Sequence, residues 1–405
     1  MRAIPAFVAR AAAMLALSLA APLAGAGGPL AIRDNGQPYV WSTAAPIGYR
    51  TDNGPISASV SEASAQARVA SMFAVWQGVP TSNIAFTRIG FISATGAFSD
   101  GDVSTAAEYT AVVNDCSAGN QSPIIYDVDG SLLVDLGFDE TGVIGFAGPC
   151  AANATQFLSG RVVMNGLFQD GAAAPVQDLS ATGFDAALIH EIGHFVGLGH
   201  SQINVNCLSP CGADDLAGLP TMFPFLVHDS QGQLAPDDIA WISRLYPQTS
   251  GGTTFANTHG TITGIVFFAD GESHAQLVNV IARQVDTGGN QDRRIAASVV
   301  SGFKFRVFHG NPINDPGGDS AGTEAPGDIG LFEIPVPAGN YTLSVESIDE
   351  EFEDGSSVGA DIRIPMPGTA PAPVGPITVV PGSVVPGNNI TLIGTPPRFD
   401  QFEGP

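Results

Sequence analysis

The sequence predicts an α+β domain followed by an antiparallel β-sandwich, and three observations carry that prediction. Strand-like and helix-like periodicities alternate between Tyr39 and Pro247. The stretch Gln248–Thr254 is polar, glycine-rich and without periodicity, as a linker is. Beyond it come short β-branched or aromatic runs separated by Gly, Pro, Asn and Asp. The expected boundaries are a leader at 1–26, a first domain at 27–247, a linker at 248–257, a sandwich at 258–395 and a tail at 396–405.

In chain order, Pro46–Arg50 reads as a strand and Ser61–Val79 as a helix with Val69, Met72, Phe73 and Trp76 on its buried face. Ile84–Ile89, Ile124–Tyr126 and Arg161–Met164 read as further strands, and Phe184–Val196 as a second helix. A third helix spans Pro236–Tyr246, where proline suits the first turn and Asp237 and Asp238 complement the helix dipole. In the second half, Gly260–Phe268, Gln276–Arg283, Phe303–Phe308 and Tyr341–Val345 are strand candidates, with Asn311–Asp328 and Met366–Pro376 as loops.

The first 26 residues have the order of an export signal. Arg2 and Arg10 supply charge, Ala11–Ala24 is apolar, and Ala24-Gly25-Ala26 offers small residues for cleavage. The apolar run is short of the ~20 residues that cross a bilayer, so no membrane span is expected. The expectation is a secreted protein, extracellular in preference to periplasmic. A net charge of -24 with Lys304 as the single lysine argues against nucleic acid or anionic lipid as a partner. Four cysteines in an exported chain point to disulfides. Of the three pairings, Cys116 with Cys150 and Cys207 with Cys211 is favoured, because the second pair closes a tight local loop.

The chemistry is concentrated in one run from His190 to His200. His190 and His194 are four apart, so on a helix both imidazoles reach one ion. Glu191 lies ~100° around the same helix, close to the metal without having to bind it, where it suits a general base. Gly197 permits the left-handed turn that ends the helix and returns the chain to deliver His200. Three histidines leave one position open on Zn2+, for water that Glu191 deprotonates. Against this stands the plain reading of ordinary helix histidines, which does not account for the spacing of all five residues.

Those residues resemble the metzincin zinc peptidases. Ala186-Ala187-Leu188-Ile189 before the first histidine and Ser201 after the third resemble the matrixin branch. The resemblance implies a twisted mixed sheet with an active-site helix and a closing helix, one catalytic Zn2+, and a protein or peptide substrate. It implies that Pro220–Pro224 is a methionine turn with Met222 as an apolar floor, and that Leu234–Ile239 through Pro247 is the closing helix. Phe223, Pro224 and Phe225 would wall the pocket for the side chain after the scissile bond, although packing accounts equally for Phe225.

Three departures stand against the family pattern. Pro224 occupies the place where related branches have a zinc-binding tyrosine. Between His200 and Met222 lie 21 residues, longer than the matrixin link. No cysteine precedes Cys116, so latency through a propeptide cysteine is excluded. His228, His259, His274 and His309 all follow the motif, so a second zinc in the preceding loop is not expected.

Asp127 and Asp129 beside Gly130 have a spacing that Ca2+ loops use, but the full loop pattern is missing and the same residues favour plain turns. Gly260–Gly264 and Pro337–Leu343 resemble the transthyretin-like regulatory domain of carboxypeptidases, which implies a supporting role. The leading expectation is therefore a secreted zinc endopeptidase. The alternatives are a surface or matrix binding protein with a vestigial metal domain, and a zinc amidase acting on cell-wall amides. Oligomeric state is left open.

Overall fold

The computed structural model describes residues 28–96, 98, 100–203, 212–276, 278–305, 322–346 and 369–394. The leader, the tail, Cys207 and Cys211 lie outside these residues. In the first half, β1 (Val40–Trp41) and β2 (Ile47–Thr51) precede α1 (Glu62–Gln77) and β3 (Phe86–Phe91). There follow α2 (Ala106–Ser117), β4 (Pro123–Asp127), α3 (Ser131–Asp135), β5 (Gly145–Ala152), β6 (Gln156–Asn165), α4 (Ala181–Phe195), α5 (Ala213–Leu216) and α6 (Pro236–Leu245).

The six strands form one mixed sheet in the order β1-β6-β4-β2-β3, all parallel, with β5 antiparallel to β6. Helix α1 buries Ala65, Val69, Phe73 and Trp76, a stripe at helical spacing that packs on α4. Helix α2 was not expected, yet its cause is local. Thr105 accepts from the Glu108 amide, the Glu108 carboxylate accepts from the Thr105 hydroxyl and the Ser104 amide, and Tyr109, Val112, Val113 and Cys116 form the buried stripe. Cys116 and Cys150 are disulfide-bonded, tying α2 to β5 as expected.

The carboxylates of Asp127 and Asp129 accept from the backbone that follows them. Asp127 accepts from the Leu132 and Leu133 amides at the start of α3, and Asp129 accepts from Ser131. Their carboxylates complete a turn and a helix start, the plain-turn reading of that spacing.

The second half begins with the one-turn helix α7 (Phe255–Thr258), so the expected linker at 248–257 ends in ordered structure. The strands are β7 (His259–Phe267), β8 (Asn279–Val285), β9 (Gln291–Val300), β10 (Leu331–Pro337), β11 (Gly339–Glu346), β12 (Val374–Val379), β13 (Val384–Val385) and β14 (Ile390–Thr391). One sheet is antiparallel in the order β12-β11-β8-β9; the other joins β10, β13 and β14 to β7. Buried side chains of both, such as Ile262 and Phe332 from one and Val280, Leu343 and Val379 from the other, share one apolar core.

This half is not purely antiparallel, since β13 and β14 run parallel to β7. The chain reaches them from β12 in the opposite sheet, and such a crossover permits a parallel partner. Two further expectations change. Phe303 and Lys304 sit in a turn and Phe305 makes only a single bridge to Thr323, while 306–308 lie outside the described residues. Val374–Pro376 belongs to β12 rather than to a loop. No helix among the described residues is long and apolar enough to cross a membrane.

His259, which opens β7, is buried, stacked on Phe255 at 5.1 Å, and paired through Nδ1 with Thr258 Oγ1. Burial pushes its imidazole down from 6.5 to about 4. The neutral form is favoured by folding, so this contribution to stability is whole above pH 6.5 and is lost as pH falls through about 4. The unfolding midpoint of His259→Phe is expected to drop less between pH 7 and about 4.5 than that of the parent. Equal drops in the two proteins would contradict this.

Candidate metal centre

Helix α4 starts cleanly because Ser180 Oγ accepts from the Gly183 amide at 2.9 Å. It ends at Gly197, whose φ of 91° is left-handed. There the Gly197 amide donates to His194 O and the Leu198 amide to Gly193 O, both at 2.9 Å. A Cβ at Gly197 would also meet Phe157 Cε2 at 2.7 Å. Glycine is thus required twice, by backbone angle and by space, and the turn it makes brings His200 back to the helix.

The three imidazoles converge as the sequence implies. His190 and His194 Nε2 are 3.1 Å apart, His190 and His200 Nε2 3.1 Å, and His194 and His200 Nε2 3.0 Å. Ligand nitrogens about 2.0–2.1 Å from one tetrahedral ion stand about 3.3 Å apart, so the nest fits a single metal. Among the described residues this is the one group of three or more His, Cys, Asp or Glu side chains placed to hold an ion.

Backbone carbonyls set the tautomers of two ligands. His190 Nδ1 donates to Thr221 O at 2.7 Å and His194 Nδ1 to Leu198 O at 2.9 Å. A carbonyl only accepts, so each Nδ1 carries the hydrogen and each Nε2 keeps its lone pair for a metal. Burial pushes His190 down to about 4 and His194 to about 3, the latter assisted by the neighbouring His190, and holds His200 well below its ordinary value. The donors are therefore neutral and ready to ligate at neutral pH.

Glu191 is also buried, and one carboxylate oxygen, Oε2, has no hydrogen-bond partner among the described residues. Desolvation pushes this carboxyl up to about 8. A cation in the adjacent nest opposes that shift and favours the ionised base. A buried carboxylate oxygen without a partner beside three converging imidazoles is a polar cluster that could hold a metal ion, not the lining of an apolar core.

Met222 lies beneath the helix at Gly193, where even a Cβ would overlap its Sδ. Its turn is pinned from α6: Asp238 accepts from the amides of Thr221 at 2.8 Å and Met222 at 3.0 Å. Ser201, next after His200, donates its amide to Met222 O at 2.7 Å. Phe223 is buried against Leu216 and Leu219, a packing role, whereas Pro224 is half-buried and Phe225 is exposed. Gln231 closes this loop, donating to Phe225 O and accepting from the Val227 and His228 amides.

Sequence reasoning missed the residues that hold the end of α4. Its last carbonyls would be orphaned by the helix geometry. Instead Trp41 Nε1 donates to Phe195 O at 2.8 Å, Tyr246 Oη to Val196 O at 2.5 Å, and the Leu30 amide to Gly197 O at 2.7 Å. Tyr246 Oη also accepts from the Trp41 amide. Tyr246→Phe strands both partners and is expected to cost about 1–3 kcal/mol, read from the denaturant midpoint. An unchanged midpoint would show that the phenol is dispensable.

Compared with known proteins, the chain matches no family model and no curated protein.

Proposed function

We propose that the protein is a zinc-dependent endopeptidase, exported from the cell, in which His190, His194 and His200 hold the metal and Glu191 is the general base. The observation that carries the reading is the convergence of three imidazoles, two of them oriented by backbone carbonyls, beside a buried Glu191 whose Oε2 has no partner among the described residues. Three imidazoles suit zinc best among common hydrolytic metals, and zinc supplies a Lewis acid that polarises a carbonyl and acidifies water.

The chain's own residues do the rest. Glu191 takes the proton from the attacking water onto a carboxylate oxygen and hands it to the departing amide nitrogen. Strand β5 begins beside this carboxylate, since a Cβ at Gly145 would lie 3.3 Å from Glu191 Cγ. Among the described residues β5 pairs only with β6, leaving its other edge open. An extended peptide adds to such an edge by main-chain hydrogen bonds, which favours polypeptide over other amides as substrate. The disulfide Cys116–Cys150 accords with an oxidising compartment.

The test is incubation of the zinc-loaded protein with an unfolded polypeptide and, in parallel, with cell-wall peptide cross-links, the products being identified by mass spectrometry. Cleavage at internal bonds of the polypeptide is the expected result. Hydrolysis confined to cell-wall amides would replace this reading with an amidase.

A further inference from the structure

Strand β9 is an outer strand of its sheet, and helix α6 packs against it. Ser298 lies opposite Ile281 of β8 and is fully buried. Its amide donates to Asp237 Oδ1 at 2.8 Å, and its carbonyl accepts from Trp241 Nε1 at 2.9 Å. Asp237 and Trp241 are four apart on α6 and so share one face. Two side chains of one helix therefore take both main-chain groups of a single strand residue.

The same first turn of α6 reaches the metal site. Ser201 follows the ligand His200, and its hydroxyl lies 3.5 Å from that of Ser298. Asp238 holds the Thr221 and Met222 amides, and Thr221 O orients His190. The sandwich also grips the chain after His200 directly. Asn279 Nδ2 donates to Gln202 O at 3.0 Å, and Ile203 is buried with Ile281 and Ala296. Further on, Arg293 pairs with Asp215, and the Arg293 carbonyl leaves no room for a side chain at Gly218.

We propose that the C-terminal sandwich is a structural part of the metal centre: Ser298 on β9 fixes α6 through Asp237 and Trp241, and Asp238 on that helix holds the amides of Thr221 and Met222, whose carbonyls orient His190 and Ser201. Asp237 and Trp241 are positioning residues in this arrangement. The inference rests on the three histidines being a metal site. An ordinary packing interface would contribute stability alone, whereas this one contributes metal affinity as well.

The experiment uses the full chain and zinc alone, with affinity read by competition against a chromophoric chelator and ligand geometry by the visible spectrum after cobalt substitution. All proteins are compared at a temperature where circular dichroism shows them folded. Asp237→Ala is expected to weaken zinc binding about 10–100-fold and alter the cobalt bands, as loss of a group that orients a ligand does. Asp237→Asn still accepts from the Ser298 amide and is expected within about threefold of the parent. Trp241→Phe keeps an aromatic six-membered ring but loses the pyrrole part of the indole with its hydrogen bond to Ser298 O, and is expected to weaken zinc binding by several-fold. If Asp237→Ala does not fold, Trp241→Phe decides. Parent-like affinity and spectrum in the folded Asp237→Ala and Trp241→Phe proteins overturn the proposal and leave the metal site standing. A parent chain that binds no zinc overturns both.

Discussion

Glu191→Gln is expected to bind zinc as the parent does and to lose turnover by about 10²–10⁴-fold, the usual contribution of a positioned general base. The amide is nearly isosteric with the carboxylate, so the packing around this buried side chain is kept. None of the three converging nitrogens belongs to it, which is why the metal stays. What disappears is the group able to hold a proton between water and the leaving nitrogen. The measurement is kcat on a peptide substrate with zinc content determined on the same samples. A variant that retains zinc and most of its turnover would move the base to another residue. One that loses zinc as well would make Glu191 a ligand.

Gly193→Ala should reverse the usual helix rule. In an exposed helix interior the change stabilises by about 1 kcal/mol. At this position the new methyl group overlaps Met222 Sδ and comes within 3.0 Å of Trp76 Cζ2. Both neighbours are buried, and Trp76 is further tied by its Nε1 to Ile189 O at 2.8 Å, so neither yields freely. Overpacking of this kind costs about 1–3 kcal/mol. It also pushes the turn that carries Thr221 O away from His190, so weaker zinc binding should accompany the lost stability. Adding Met222→Ala makes room for the methyl group and should recover part of both losses, a coupling that a double-mutant cycle measures. A Gly193→Ala protein more stable than its parent would contradict the close approach.

The site was the most legible part of this molecule because its geometry is local. His190, His194 and Gly197 are fixed by helix spacing and by one left-handed residue, and the structure places them, with His200, where that spacing implies. Helix α2 also had a local signature in Thr105, Glu108 and the stripe from Tyr109 to Cys116, and that signature was overlooked. Strands β5, β9 and β10 were overlooked as well. Glycine and proline interrupt β5, and charged residues fill the start of β9, so alternation is weak in both. Strand order is not carried by periodicity at all, and the parallel pairing of β13 and β14 with β7 depends on a crossover between sheets.

The supports of the site were least legible. Asp237 reads as a residue that suits a helix start, and nothing in the local sequence singles out Ser298, Trp41 or Tyr246. Their roles arise only when segments 205, 57 or 50 residues apart meet. Conversely, Asp127 and Asp129 have a spacing found in calcium loops, and the structure gives their oxygens to the amides of Leu132, Leu133 and Ser131. A short acidic motif has both readings until its hydrogen-bond partners are known.

The most direct test of the account is a zinc titration of the metal-free protein, with cleavage of an unfolded polypeptide followed at each addition. The expected result is activity that rises in proportion to zinc and levels at one ion per chain, absent from Glu191→Gln at the same occupancy. Cleavage undiminished in the metal-free protein, or one bound zinc per chain with no cleavage of any polypeptide, would contradict it.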